Sequence, residues 1–388
     1  MARSLNSQRL VEFTQDLVRL PSLSGEEQHV AARVEQEMRA LGYDSVEVDA
    51  NGSVVGVLQG AQPGPTLLLD AHTDTVTISP GAPWQHDPFG AEIDGDAIYG
   101  RGTADMKGAL AAMVHGAAAV DRAQLRGRVV VSASTLEEVM EGVALQAVMA
   151  AWPPDMVIIG EATDLQLVHG GRGRAELHLT TTGKPSHSSA PHLGRNAVLD
   201  MVRVIDAIST LQLGEHPLMG PAILALTDII SQPWPGNSVI PSICNVTYDR
   251  RLLPGETAAG VIAEITGLPG VQGLPLSISI GDNSYTAWTG ATLSAHKFFP
   301  AWVVDAGAPI VTRALAALAQ VGQAPRLSAY RFCTNAAYSA GVAGVPTIGY
   351  GPATEADAHV IDERLRLNDL FAAAAGYGAL IAELNGDN

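Results

Sequence analysis

Between Val54 and Gly171, short unbroken apolar runs alternate with longer stretches of helical period. VVGVLQG (54–60), TLLLDAH (66–72), GRVVVSAS (127–134) and DMVIIGEA (155–162) are apolar at consecutive positions and read as strands covered on both faces. DMKGALAAMVHGAAAV (105–120) and EGVALQAVMAAW (141–152) carry apolar residues at helical spacing and read as helices packed on those strands. Two more helices open the chain, one over MARSLNSQRLVEFTQDLVRL (1–20) and one within SLSGEEQHVAARVEQEMRAL (22–41). The second is expected to start in a capping box made by Ser24 and Glu27. Near-continuous apolar strands separated by helices predict an α/β domain with a mixed, mostly parallel sheet and helices on both faces.

The pattern changes near residue 172. In RAELHLTTTG (174–183), Ala175, Leu177 and Leu179 alternate with Glu176, His178 and Thr180, the period-two signature of a strand with one solvated face. A helix at 196–211, strands at 222–230 and 243–252, a helix at 257–268 and a strand at 275–281 follow, a βαββαβ series. That series predicts a ferredoxin-like α+β module over 172–287, inserted into an α/β domain formed by 1–171 and 288–388. No internal repeat interrupts either part.

Composition narrows the function class. Of 388 residues, 47% are hydrophobic and 16% charged, enough for a large core and against disorder. A formal net charge of −17 argues against nucleic acid or an anionic membrane as partner. Cys244 and Cys333 are the only cysteines, so a disulfide framework is not expected and a reducing compartment fits. The first helix pattern has charges along its length and no apolar core of a leader, and no uncharged run is long enough to span a bilayer. A cytoplasmic protein is expected.

The chemistry lies where the polar residues fall. His72 and Asp74 close the apolar run TLLLDAHTD, two residues apart and hence on one face of an extended segment. Asp105 opens a helix pattern, the pair Glu137–Glu138 follows GRVVVSAS, and Glu161 follows DMVIIG. Ligands of an open α/β sheet bind beyond the carboxyl ends of its strands, and four successive ends here carry these groups. His359, in EADAHVIDE, follows the final core strand. Each residue has a structural alternative: Asp105 as helix N-cap, the glutamate pair as carboxylates facing a helix dipole, His72 as a core histidine. One site for two divalent ions, commonly Zn²⁺, accounts for the whole set of two histidines and three carboxylates. Two adjacent glutamates then allow one to bind metal and the other to act as general base.

The segments HTD, GRGTADMKG, TLEE, GEAT, GKPSHSSAPHLGRNA, DRRLLPGE and AH at 358–359 resemble the M20 family of metallopeptidases and deacylases, over nearly the whole chain. That family includes acetylornithine deacetylase, succinyl-diaminopimelate desuccinylase, aminoacylase and carboxypeptidase G. DRRLLPGET and RFCTNAAYSAG are most similar to its subgroup containing the selenium-metabolism-linked hydrolases. The resemblance implies His72 and Glu161 on one ion, Glu138 and His359 on the other, and Asp105 bridging them. It implies Asp74 as the carboxylate orienting His72, Glu137 as general base, and Zn²⁺, Co²⁺ or Mn²⁺ as the ions. It makes the inserted module a lid through which two chains pair, with His187 reaching the partner's site to stabilise the oxyanion. Arg251 would receive the substrate carboxylate, and Asn237 and Asn335 would lie near the substrate. For His187 the structural alternative is a plain loop histidine between Ser186 and Ser188, and for Arg251 a local pair with Asp249. CTNAAY at Asn335 departs from the CTEAPF-like wording of acetylornithine deacetylases, which argues against that substrate.

The implied reaction is hydrolysis of the amide of an N-acyl amino acid, with a dipeptidase or carboxypeptidase of the same family as the alternative. Two readings from other classes fare worse. A nucleotide-binding loop at GRGTADMKG lacks the third glycine and sets Asp105 where phosphate needs bare amides. A non-catalytic peptide-binding relative would lack a ligand or the base, and none is missing.

Overall fold

The computed structural model describes residues 5–386, so residues 1–4 of the first predicted helix lie outside them. The opening helices run over Ser7–Arg19 and Gln28–Leu41. The expected capping box does not form. Glu27 is the N-cap residue but makes no side-chain cap bond, and Ser24 Oγ donates instead to Asp74 Oδ2 at 2.7 Å.

A nine-stranded sheet organises the larger part. Its order is Ser45–Val48, Val54–Gln59, Arg126–Ser134, Gln62–His72, Met156–Ile159, Thr347–Gly349, Leu167–Gly171 and Trp302–Val303, with Leu327–Tyr330 also paired to Leu167–Gly171. The four central strands are mutually parallel and the flanks mostly antiparallel, giving the mixed sheet expected. Alternation within the apolar runs explains the two covered faces. Leu67, Leu69, Val129, Val131 and Ile158 pack under helices that include Gly108–Ala119 and Leu367–Leu384. Leu68, Val130, Val157 and Ile159 point the other way, onto Leu145 and Val148 of helix Val143–Ala151. Each such buried aliphatic side chain contributes about 1.5–3 kcal/mol.

The inserted module is a second sheet, ordered Ile223–Gln232, Ile243–Leu252, Gly173–Thr182 and Leu276–Ile280. Ala175, Leu177 and Leu179 face Met201 and Val204 of helix Ala197–Ile208 and Val261 of helix Ala258–Thr266. Glu176, His178 and Thr180 lie on the uncovered face, as the alternation requires. The return path is longer than the sequence pattern suggests. A hairpin, Asp282–Thr286 with Thr292–His296, packs Ala287 and Leu293 against Leu136 and Met140 of the larger part. Phe298–Phe299 still pairs with the module's first strand, and the chain re-enters the central sheet at Trp302. No helix of the described residues is long and apolar enough to cross a membrane.

Candidate active site

Three parallel strands end at His72, Ser134 and Ile159, and the loops beyond them converge. His72 is almost fully buried. Its Nδ1 lies 2.9 Å from the backbone carbonyl of Asp74, an acceptor only, so Nδ1 carries the proton. Nε2, the other ring nitrogen, is thereby turned toward Asp105 Oδ1 at 3.0 Å and Glu161 Oε1 at 3.6 Å. The Asp74 carboxylate, expected to orient this ring, is 3.5 Å away and mainly does something else. It accepts from Glu137 N at 3.0 Å and Glu138 N at 3.1 Å, fixing the turn that carries both glutamates.

Asp105 does not open a helix. It sits in a tight turn, Thr103–Lys107, with extended backbone (φ −129°, ψ 93°) and a cis peptide to Met106, and the helix starts at Gly108. Glu363, fully buried, accepts from Ala104 N at 2.9 Å and Asp105 N at 3.1 Å and pairs with Arg101 at 2.5 Å. The turn thus presents both carboxylate oxygens: Oδ1 to His72, and Oδ2 to His359 Nε2 at 3.1 Å. His359 Nε2 is also 3.2 Å from Glu138 Oε1. Two triads result, His72–Asp105–Glu161 and Asp105–Glu138–His359, each with ligand atoms within 4.8 Å of one another and sharing Asp105.

The electrostatics point to cations. Burial pushes the Glu137 and Glu161 carboxyls well above their usual range, and neighbouring carboxylates add to the shift: Glu161, Glu141 and Glu138 for Glu137, Asp105 and Glu138 for Glu161. Burial, with the nearby Asp105 charge, also raises Glu138. Hydrogen bonds to Asp105 and Glu138 push His359 up to about 10. Four carboxylates held against two histidines repel one another unless positive charge stands between them. Imidazole and carboxylate are the donors that Zn²⁺ and similar ions take, so the residues fit a pair of divalent ions.

The site opens into a pocket of about 310 Å³ lined by both triads' carboxylates, Glu137, Arg251 and Phe332 among others. Sequence reasoning missed three charged members of its wall, Glu141, Arg174 and Glu355. Arg174 donates to Glu141 at 3.1 Å and to Asp249 at 2.9 Å, and Arg251 pairs with the other oxygen of Asp249 at 2.8 Å. Arg251 therefore has its local ion pair and also faces the pocket. A neighbouring cavity of about 1050 Å³ shares Arg251, Phe332 and Glu355 with it and adds Arg172 and Arg331. Glu141 follows Glu137 by four residues, and Arg174 opens the alternating run at the end of GRGR; neither position signals a pocket without the fold.

Three expected residues lie elsewhere. Asn335 does not face the pocket: it is buried, donating to Asp70 at 2.7 Å and Ser134 at 3.0 Å and accepting from Gly142 N at 2.5 Å. His187 and Asn237 are exposed on two adjoining loops of the inserted module, joined by a bridge between His187 and Val239, and neither lines the pocket of its own chain.

A model of peptidase family M20/M25/M40 matches residues 68–383. The chain belongs to that family. It is accordingly a metal-dependent hydrolase of amide bonds. The uncharacterized protein YgeY of Escherichia coli (strain K12) is 33% identical over 380 residues, covering 96% of this chain and 93% of the relative. A succinyl-diaminopimelate desuccinylase of Dinoroseobacter shibae is 31% identical over 290 residues, covering 70% and 75%. Among solved structures, YXEP of Bacillus subtilis, described as a dinuclear metal-binding M20 peptidase, superposes with a TM-score of 0.73 at 15% identity, covering 98% of each chain.

Proposed function

We propose that this M20 hydrolase cleaves the amide of N-acyl amino acids at a two-ion site for Zn²⁺, with Co²⁺ or Mn²⁺ as substitutes. The observation that carries the reading is Asp105, whose two carboxylate oxygens each approach a different histidine and so join the two triads. His72 and Glu161 would hold one ion, Glu138 and His359 the other, with Asp105 between. When bound, such a pair supplies Lewis-acid polarisation of the amide carbonyl and makes water more acidic. Glu137, in the pocket wall but in neither triad, takes the proton from the attacking water and returns it to the leaving nitrogen.

Substrate charge is read from the pocket wall. Arg251 faces the ligands, and Arg172 and Arg331 line the adjoining cavity beside Asp249 and Glu355, while Arg174 is engaged by Glu141 and Asp249. A guanidinium fork suits the carboxylate next to the scissile amide. The desuccinylase relative supports a deacylase.

The inserted module acts as lid and pairing surface. Its edge strand Ile223–Gln232 leaves Ile223, Leu226, Ile229 and Ile230 exposed, between 42% and 51%, an apolar open edge of the kind that pairs with another chain. In a homodimer formed there, His187 and Asn237 would serve the partner's pocket. His187 Nδ1 accepts from Ser189 N at 3.1 Å, which leaves Nε2–H as a donor for a developing oxyanion. A screen of N-acetyl, N-succinyl and N-carbamoyl amino acids beside dipeptides, with Zn²⁺, Co²⁺ and Mn²⁺, tests the reading. Turnover of acyl amino acids is expected; turnover of dipeptides alone overturns it. Ile229→Lys is expected to yield monomers by light scattering.

A further inference from the structure

Ser24 and Glu27, whose side chains make no helix-cap bond, meet the site from an unexpected direction. Their segment is stitched to the loop after His72: Ser22 Oγ donates to Thr73 O at 2.7 Å, Thr75 N donates to Ser22 O at 2.9 Å, and Leu23 bridges Thr75. From there Ser24 Oγ reaches Asp74 Oδ2 at 2.7 Å. Glu27, with no solvent exposure, accepts from Leu136 N through Oε1 at 3.1 Å.

Leu136 is a non-glycine residue at φ +59°, a conformation disfavoured for it and held only by its surroundings. Three consecutive amides, those of Leu136, Glu137 and Glu138, then donate to Glu27 Oε1, Asp74 Oδ1 and Asp74 Oδ2. Successive N–H groups converging on carboxylates form a rigid anion nest, and here the nest aims two side chains. We propose that Glu27, working beside the Asp74 carboxylate that Ser24 holds, is a positioning residue that sets the direction of Glu137 and Glu138. The inference rests on the roles given to those two glutamates above. Glu27 acts as a hydrogen-bond acceptor, and its second oxygen has no partner. One oxygen is therefore all the role requires.

The test compares wild type, Glu27→Ala and Glu27→Gln, which keeps one acceptor oxygen. Co²⁺ titrations followed by visible absorbance read both ion affinities, with His359→Gln marking the step that belongs to the Glu138 ion. Hydrolysis at saturating metal reads kcat and KM. E27A is expected to weaken the Glu138 ion about tenfold or more and to lower kcat by a similar factor at unchanged KM, the usual range for lost outer partners of a metal site. E27Q should stay within about threefold of wild type in both, even where its melting temperature falls because the new amide nitrogen is buried. Wild-type behaviour in E27A overturns the proposal. So does equal weakening of both ions, which marks general loosening, or an E27Q as impaired as E27A. Should E27A fail to fold, Glu27→Leu, which fills the space without an acceptor oxygen, carries the test: the same loss of kcat and of affinity for the Glu138 ion supports the brace, and wild-type values refute it. If wild type hydrolyses no amide offered, the functional reading fails while the ion affinities still decide this one.

Discussion

Glu137→Gln separates the proton-transfer step from everything else the site does. The backbone N–H of residue 137 still donates to Asp74, so the turn keeps its shape. Glu137 belongs to neither triad, and His72 Nε2 is 3.9 Å from its carboxylate. Both ions should remain. Oε1 has no hydrogen-bond partner, so the change breaks no bond made by that oxygen. Burial and the charges of Glu161, Glu141 and Glu138 already oppose ionisation of this group, so removing its charge relieves the crowd. The melting temperature is expected to hold within about 2 °C or to rise. A positioned base contributes about 10²- to 10⁴-fold, which at ~1.4 kcal/mol per decade is roughly 3–5 kcal/mol of barrier. Initial-rate hydrolysis of an N-acyl amino acid should show that loss in kcat, with KM within a few-fold. Metal content is measured on the same sample. A kcat within threefold of wild type with both ions present refutes the base assignment, and loss of an ion makes Glu137 a ligand instead. The helix-dipole alternative, in which the substitution is harmless, is already weakened by the fold. The next helix begins only at Val143, after Gly142.

Two further outcomes test other parts of the account. Arg251→Met should raise KM at least tenfold for substrates with a free carboxylate and leave carboxamide analogues nearly unchanged, since the planar fork has nothing to grip in the latter. An equal effect on both substrate types counts against the role. Away from the site, burial opposes ionisation of Glu37, but its contacts with His115, Arg9 and Arg33 outweigh it and hold the carboxyl down to about 2. A depressed folded-state pKa stabilises above the unfolded value, near 4.5, and the benefit is lost as pH falls toward 2. Urea unfolding of Glu37→Gln against wild type should therefore show a gap of about 2 kcal/mol at pH 6, discounted for the partly exposed Arg9, that closes below pH 4. A gap independent of pH contradicts the pairing.

The sequence made the frame readable because its periods are unambiguous. Leu67–Leu69 and Val129–Val131 are short, β-rich and apolar at consecutive positions, as suits a strand buried on both faces, and 174–180 alternate cleanly. His72, Glu138 and Glu161 were readable because they close or closely follow strand ends that a parallel sheet must gather on one edge, whereas Asp105 and His359 come from a turn and a loop beyond the sheet. What escaped were contacts made across long separations. Ser24 and Glu27 have the spacing of a helix cap, and nothing local says that their partners are Asp74 and Leu136. Asn335 looked substrate-facing by resemblance, yet its amide is taken up by Asp70, Ser134 and Gly142. Arg174 and Glu141 meet only because the inserted module folds back over the strand ends. The hairpin 282–296 carries a weak strand pattern, and its packing on Leu136 delays the return to the central sheet until Trp302.

The central claim is that Asp105 joins two ion sites. Anomalous diffraction from crystals grown with Zn²⁺ tests it most directly. Two peaks per chain are expected, one in ligand contact with His72 and Glu161, the other with Glu138 and His359, and Asp105 touching both. A single peak, or peaks that do not share Asp105, would contradict the account.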